Sequence, residues 1–178
     1  MTAAEKEYGG ALFSLAADEH LEDIILEGIC FAKAQFAENP AYPKLLQNPA
    51  VKKQERLAML DTAFHDAVHP YVLNFLKILC EKSSLSALSG CEAEYRRALY
   101  AARGIVPVTA TSAAPLTQMQ CDALQQTLTA KIGKTVLLTH VVDATLLGGV
   151  KISYAGKELD GSVSGRLASM RRLLMAQS

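Results

Sequence analysis

The chain has 178 residues, half of them hydrophobic and a fifth charged, with Lys plus Arg equal to Asp plus Glu at 18 each. That is ordinary globular composition, with room for one domain or two small ones. Formal neutrality removes a strong non-specific pull toward nucleic acid or anionic lipid. No segment approaches the roughly 20 apolar residues of a membrane span. Neither a nucleic-acid partner nor direct membrane insertion is expected, and a protein partner is expected to be recognised by shape and apolar contact.

At the start, Glu5, Lys6 and Glu7 interrupt the chain, and the apolar run from Ala11 to Ala17 ends at Asp18-Glu19. This is neither a secretory signal nor an Arg-rich organellar leader. Cys30, Cys80, Cys91 and Cys121 include no Cys-x-x-Cys pair, and three lie on or beside apolar helical stripes. They read as small buried hydrophobes in a reducing cytosol. The expectation is a soluble bacterial cytoplasmic protein.

Up to about Arg103 the apolar period is helical. Tyr8, Ala11, Leu12 and Leu15 make one stripe, with Phe13 and Ala17 on the opposite side. Leu21, Ile24, Ile25, Gly28, Ile29, Ala32 and Phe36 make a second, closed by Asn39-Pro40 because proline disfavours helical geometry in the residue before it. A helical turn around Lys44-Leu45-Leu46 ends at Asn48-Pro49. Leu57, Leu60 and Phe64 mark the next helix, and His69-Pro70 breaks it. A helix over Tyr71–Lys82 carries two adjoining stripes, Val72/Leu76/Leu79/Cys80 and Tyr71/Phe75/Ile78. A bundle core needs only one, so the pair means deep burial or a face awaiting a partner. Leu85, Leu88, Tyr95, Leu99 and Ala102 define a long last helix.

At Gly104 the period changes. Ile105–Thr111 is short and β-branched, hence a strand. Pro115-Leu116-Thr117 opens a helix with capping-box spacing between Thr117 and Gln120. Its inner face is Cys121, Leu124, Leu128 and Ile132, and Gly133 is its stop. Thr135–Val142 is a second strand. Gly148-Gly149 leads into an alternating strand Val150–Tyr154, a turn at Ala155-Gly156-Lys157 and a short return. Asp160 and Ser162 are competent N-caps for a final helix carrying Val163, Leu167, Met170 and Leu174. The fold class expected is α+β: a six-helix bundle over residues 1–104, then a small α/β domain over 105–178.

The chemical candidates are weak. His65-Asp66-Ala67-Val68-His69 imitates a zinc-protease motif, but Pro70 pushes His69 out of helical geometry and no third ligand is apparent. Gly161-Ser162-Val163-Ser164-Gly165 has valine where a nucleophile elbow needs serine. A phosphate loop would need glycine at Lys151 and a hydroxyl at Glu158. Neither catalytic residue, metal nor cofactor is expected. Arg166, Arg171, Arg172 and Lys157 form a modest basic end, read as a solvated helix face or a contact for an acidic partner.

Leu146-Leu147-Gly148-Gly149 followed by Asp160-Gly161-Ser162 and Gly165-Arg166-Leu167 closely resembles the C-terminal signature of the delta subunit of F-type ATP synthases. The mitochondrial counterpart of that family is the oligomycin-sensitivity-conferring protein. The opening Tyr8-Gly9-Gly10-Ala11-Leu12-Phe13-Ser14-Leu15-Ala16 resembles the family's first helix, and the likeness spans nearly the whole chain. The resemblance implies a non-catalytic peripheral-stalk subunit on the cytoplasmic side of the bacterial plasma membrane, serving proton-driven ATP synthesis. It also implies a groove between the first and fifth helices that takes the amphipathic N-terminal helix of the alpha subunit. The matching walls are Tyr8, Ala11, Leu12 and Leu15 on one side and Phe75, Ile78 and Leu79 on the other. The C-terminal part would hold the b subunits of the stalk; Ser164 stands where a basic residue is common. Two other readings stay open on the residues alone: an unrelated helical adaptor, and a small enzyme using the polar 142–162 loop.

Overall fold

The computed structural model describes residues 2–146, 148–154 and 156–161. Among these the chain is α+β, with seven α-helices followed or interleaved by a four-stranded sheet. It divides into two compact units, Met1–Leu99 and Tyr100–Ser178. The change of period expected at Gly104 marks where helix gives way to strand, since Ala102 is the last helical residue and Ile105 opens the sheet. The division of contacts falls a few residues earlier, inside the last turn of that helix.

The first unit contains α1 (Ala3–Asp18), α2 (Glu22–Glu38), α3 (Ala41–Leu46), α4 (Lys53–Phe64), α5 (Pro70–Glu81), a 3-10 turn (Leu85–Ala87) and most of α6 (Leu88–Ala102). Each boundary has a local cause. Thr2 and Glu5 form a reciprocal capping box at the start of α1. Asn39 ends α2 before Pro40. Pro70 occupies the first turn of α5, where its missing N–H costs nothing. Leu85, expected on the last helix, belongs instead to the separate 3-10 turn.

One apolar core runs through this unit and draws on all six helices. Leu12, Ile25, Leu46, Leu60, Leu76 and Tyr95 are among its buried members. Tyr95 is fully buried, and its hydroxyl donates to the Glu22 carbonyl oxygen at 2.9 Å. Its ring meets Phe13 edge-on at 5.6 Å. A buried phenol without such a partner would be costly.

The second unit holds β1 (Ile105–Ser112), α7 (Gln118–Ile132), β2 (Thr135–Val142), β3 (Val150–Tyr154) and β4 (Lys157–Asp160). The strand order is β2-β1-β3-β4. β1 and β2 run parallel from Ile105 opposite Thr135 to Ser112 opposite Val142. A parallel pair needs a crossover, which α7 supplies. β3 lies antiparallel to β1 and to β4. The Thr117–Gln120 capping box forms, so α7 begins at Gln118 and Pro115-Leu116 stay outside it. Gly133 stops the helix at φ 69°, a left-handed conformation that a side chain resists. Val108, Leu128 and Val136 are the buried centre, with Leu124, Ile132 and Ile152 packed around them. Gly148 and Gly149 both take positive φ, at 139° and 83°, conformations that residues with a side chain rarely adopt. Leu147 and the remainder of the signature from Ser162 to Leu167, with Met170, Arg171, Arg172 and Leu174, lie outside the described residues.

Candidate partner-binding surface

The seven residues matched to a groove divide by depth. Leu12, Phe75 and Leu79 are buried in the core of their own unit, at 7%, 5% and 0% exposure. Tyr8 is partly buried against that core. Ala11 is exposed, and so are Leu15 and Ile78, at 42% and 46%. α1 and α5 therefore each anchor one face in a common core and leave a large aliphatic side chain in water.

This resolves the two-stripe puzzle of α5. Val72, Leu76, Leu79 and Cys80 are all buried, and Phe75 joins them, whereas Ile78 is left out and Tyr71 is intermediate. On α1 the core-facing stripe is not the one that hydropathy suggests. Gly9, Leu12 and Ala16 are its buried residues, with Phe13 packed alongside. Small residues carry this face because α6 comes very close. A Cβ at Gly9 would lie 2.6 Å from the Cys91 carbonyl oxygen and 2.9 Å from Glu94 Cβ. Gly10 has nothing within 4 Å. Only the first of the two glycines is thus a packing requirement.

Charged groups fix the scaffold behind these faces. Glu92 on α6 is buried and accepts from Lys33 Nζ on α2 at 2.6 Å and from Arg96 at 2.7 Å. Burial works to raise its carboxyl, but the hydrogen bonds and charges of Lys33 and Arg96 together outweigh burial and hold it below the usual glutamate range. Glu94 is lowered as well, chiefly by its hydrogen bonds from Arg97. On α5, Lys77 pairs with Asp61 at 2.5 Å and Glu81 with Lys53 at 3.1 Å, tying it to α4. Burial pushes the Cys91 thiol up to about 11 and that of Cys80 up as well. These two thiols are packing groups.

No described geometry suits a reaction. His69 serves as the N-cap of α5: its Nδ1 accepts from the Tyr71 amide at 3.3 Å. At the ends of β1 and β2, Ser112 Oγ lies 2.6 Å from the Ala114 carbonyl oxygen and 2.7 Å from His140 Nε2. The hydroxyl has one proton, and the carbonyl can only accept, so that proton goes to Ala114 and Nε2–H donates to Oγ. A general base requires the reverse arrangement. In the adjoining loop Asp143 accepts from the Thr145 amide and hydroxyl, a turn that organises backbone. The sequence reading missed the Ser112–His140 clip because its members lie 28 positions apart.

Comparisons with known proteins identify the family. The family model described as ATP synthase delta (OSCP) subunit matches residues 4–174. The chain belongs to that family. Among curated relatives named ATP synthase subunit delta, one from Geobacillus sp. (strain WCH70) is 33% identical over 171 residues, covering 96% of each chain. Another, from Synechococcus elongatus, is 33% identical over 161 residues, covering 90% of this chain and 89% of its own. A solved chain of the Toxoplasma gondii mitochondrial ATP synthase hexamer superposes with a TM-score of 0.73 over 98% of both chains at 18% identity, a likeness of fold. As a delta (OSCP) family member this chain is a non-catalytic stator subunit of an F-type ATP synthase. The enzyme reading of the 142–162 loop is set aside. No helix among the described residues is long and apolar enough to cross a membrane.

Proposed function

We propose that this subunit is the joint between catalytic head and stalk, with its helical part, residues 1–104, as the six-helix gripping module. In this reading Tyr8, Ala11, Leu15 and Ile78 touch the N-terminal helix of the alpha subunit, while Leu12, Phe75 and Leu79 support them from below. The observation that carries it is the exposure of Leu15 and Ile78 on helices whose opposite faces are locked in one core. In a helix-in-groove site the apolar stripe of the incoming helix would lie against such side chains. The second part, residues 105–178, engages the b subunits. Two modest contacts on one chain then resist rotor torque through effective concentration. In this reading the protein works on the cytoplasmic side of the bacterial plasma membrane, held there by its partners.

The test uses the full-length chain and a synthetic peptide of the alpha subunit's N-terminus. Tyr8→Ala and Ile78→Ala each weaken binding by about tenfold or more, in line with about 1.5–3 kcal/mol for a buried large apolar side chain. Because Ile78 is exposed, its change leaves folding nearly untouched. Unaltered affinity in both variants removes the α1–α5 assignment.

A further inference from the structure

A second apolar surface lies on α2, α3 and α4 and shares no residue with the one assigned above. Ile24 and Phe31 of α2 are exposed at 51% and 42%, and Leu45 of α3 at 41%. Ile24 belongs by sequence to the same stripe as Ile25 and Ile29, yet those two are fully buried and Ile24 is not. Seven positions separate Ile24 from Phe31, about 10 Å along one side of a helix. Phe31 also borders a depression of about 610 Å³, floored by Ala41, Tyr42, Leu45, Ala63 and Phe64.

That depression has continuations on two sides. One shares Phe31 and reaches Ile24, Glu27 and Asp66. The other shares Tyr42 and Ala63 and reaches Glu55 and Met59. Together they make a furrow with an apolar middle, closed at one end by Glu27, Asp66 and His69 around Ile24 and at the other by Glu55. Glu27, Glu55 and Asp66 are exposed and take part in none of the described ion pairs. No lysine or arginine lines the three depressions. The polar groups of the middle section are already engaged: Asn39 Nδ2 donates to the Gln35 carbonyl oxygen, and Gln35 Nε2 to Glu38. A small polar ligand finds no convergent donors there, whereas a long apolar stripe with cations at its margins matches both floor and rim.

We propose that the α2–α3–α4 furrow docks an amphipathic helix of another polypeptide whose apolar stripe is flanked by Lys or Arg. The apolar stripe covers Ile24, Phe31 and Leu45, and the cations meet Glu27 and Asp66 at one end and Glu55 at the other. This is a separate site from the α1–α5 surface, and its partner is selected by charge as well as by shape.

The probe is a designed amphipathic peptide of about 18 residues, five helical turns, with a Leu/Ile stripe flanked by lysines and one tryptophan. The chain has no tryptophan, so the peptide's fluorescence reports binding to the full-length protein without background. A second peptide has the lysines replaced by glutamates. The lysine peptide binds at least tenfold more tightly, and its methyl and aromatic NMR shifts map to Ile24, Phe31 and Ala63. Phe31→Ser weakens it. Because Phe31 also meets Phe64 edge-on at 6.4 Å, the decisive variant is the surface pair Glu27→Lys with Asp66→Lys. That pair reverses the preference toward the glutamate peptide while the thermal melt stays in place. Ile78→Asp leaves lysine-peptide binding intact, although it abolishes binding of the alpha-subunit peptide, so the two sites fail independently. Equal affinity for both peptides overturns the proposal, as do shifts that map to Leu15 and Ile78, binding of a small apolar molecule alone, or concentration-dependent burial of Phe31 by a second copy of this chain.

Discussion

The two units bury their apolar residues in different ways. In the first, helices from α1 to α6 pour side chains into one continuous core, and its precision comes from interlocking shapes. In the second, the described apolar centre is small, and the ladder of backbone hydrogen bonds from β2 through β1 and β3 to β4 carries the organisation. Helical contacts pair side chains across helix faces, so each helix keeps an outer face that can be apolar without harming the fold. A strand has its backbone groups committed to neighbours, and its freedom to display a surface is set by the pleat. Both units leave large apolar side chains outside: Leu15, Ile24, Phe31, Leu45 and Ile78 on the helices of the first, and Met119, Leu137, Val141, Val142 and Leu159 in the second.

The largest expected effect tests whether the first core is one cooperative object. Leu76 is fully buried in α5. Leu76→Ala should cost about 2–5 kcal/mol. Native-state hydrogen exchange should show amides of α2, α4 and α5 losing protection together, with those of β1 and β2 unchanged. Loss confined to α5 would mean that the helices are coupled far less tightly than their shared core implies.

Gly9→Ala comes next. The added methyl would meet backbone at the Cys91 carbonyl oxygen, which cannot swing aside as a side-chain tip can. α1 and α6 must separate, at a cost of about 1–3 kcal/mol, read in urea melts. The same shift would disturb Tyr8 and Ala11 beside it, so weaker binding of the alpha-subunit peptide should accompany the lost stability.

Acid should separate the units through Glu92 and Glu94. Both carboxyls lie below their ordinary value of 4.5 when folded. A lowered folded value means that their stabilisation is present above the ordinary value and is lost as pH falls through the lowered one. The urea midpoint of the first unit should drop as the solution is taken below their ordinary value of 4.5. Glu92→Gln should flatten that acid limb. An acid limb unchanged in Glu92→Gln would remove the Lys33–Glu92–Arg96 cluster as its source.

Much of this architecture was legible in the sequence because its signals are local. Pro40 and Pro70 punctuate the helices, Thr117 and Gln120 cap α7, Gly133 stops it, and the β-branched run Thr135–Val142 forms a strand over those same residues. What escaped was non-local or carried by small residues. The buried stripe of α1 contains Gly9 and Ala16, which hydropathy ranks below Leu15, yet Leu15 is outside. The Lys33–Glu92 pair closes across 59 positions. The depth of the residues matched to a groove by resemblance was illegible for a related reason: period identifies neighbours on a helix, but which of two adjoining stripes faces inward depends on helices elsewhere in the chain.

The smallest effect has the opposite sign and is the most discriminating. Gly10 is one residue from Gly9, in the same helix, and a Cβ there meets nothing. Gly10→Ala therefore introduces no clash, removes conformational freedom from the unfolded chain and should stabilise the first unit by about 0.4–1 kcal/mol. The Ser14 hydroxyl bonds to the Gly10 carbonyl oxygen at 3.1 Å, a backbone contact that the substitution leaves in place. If glycine served only to loosen the start of α1, both alanine variants would stabilise. If both glycines were needed for close approach to α6, both would destabilise. Opposite signs in adjacent positions of one helix can come only from packing on one side and open space on the other. Gly10→Ala should also leave the sheet amides unmoved, since the gain arises wholly within the helical unit.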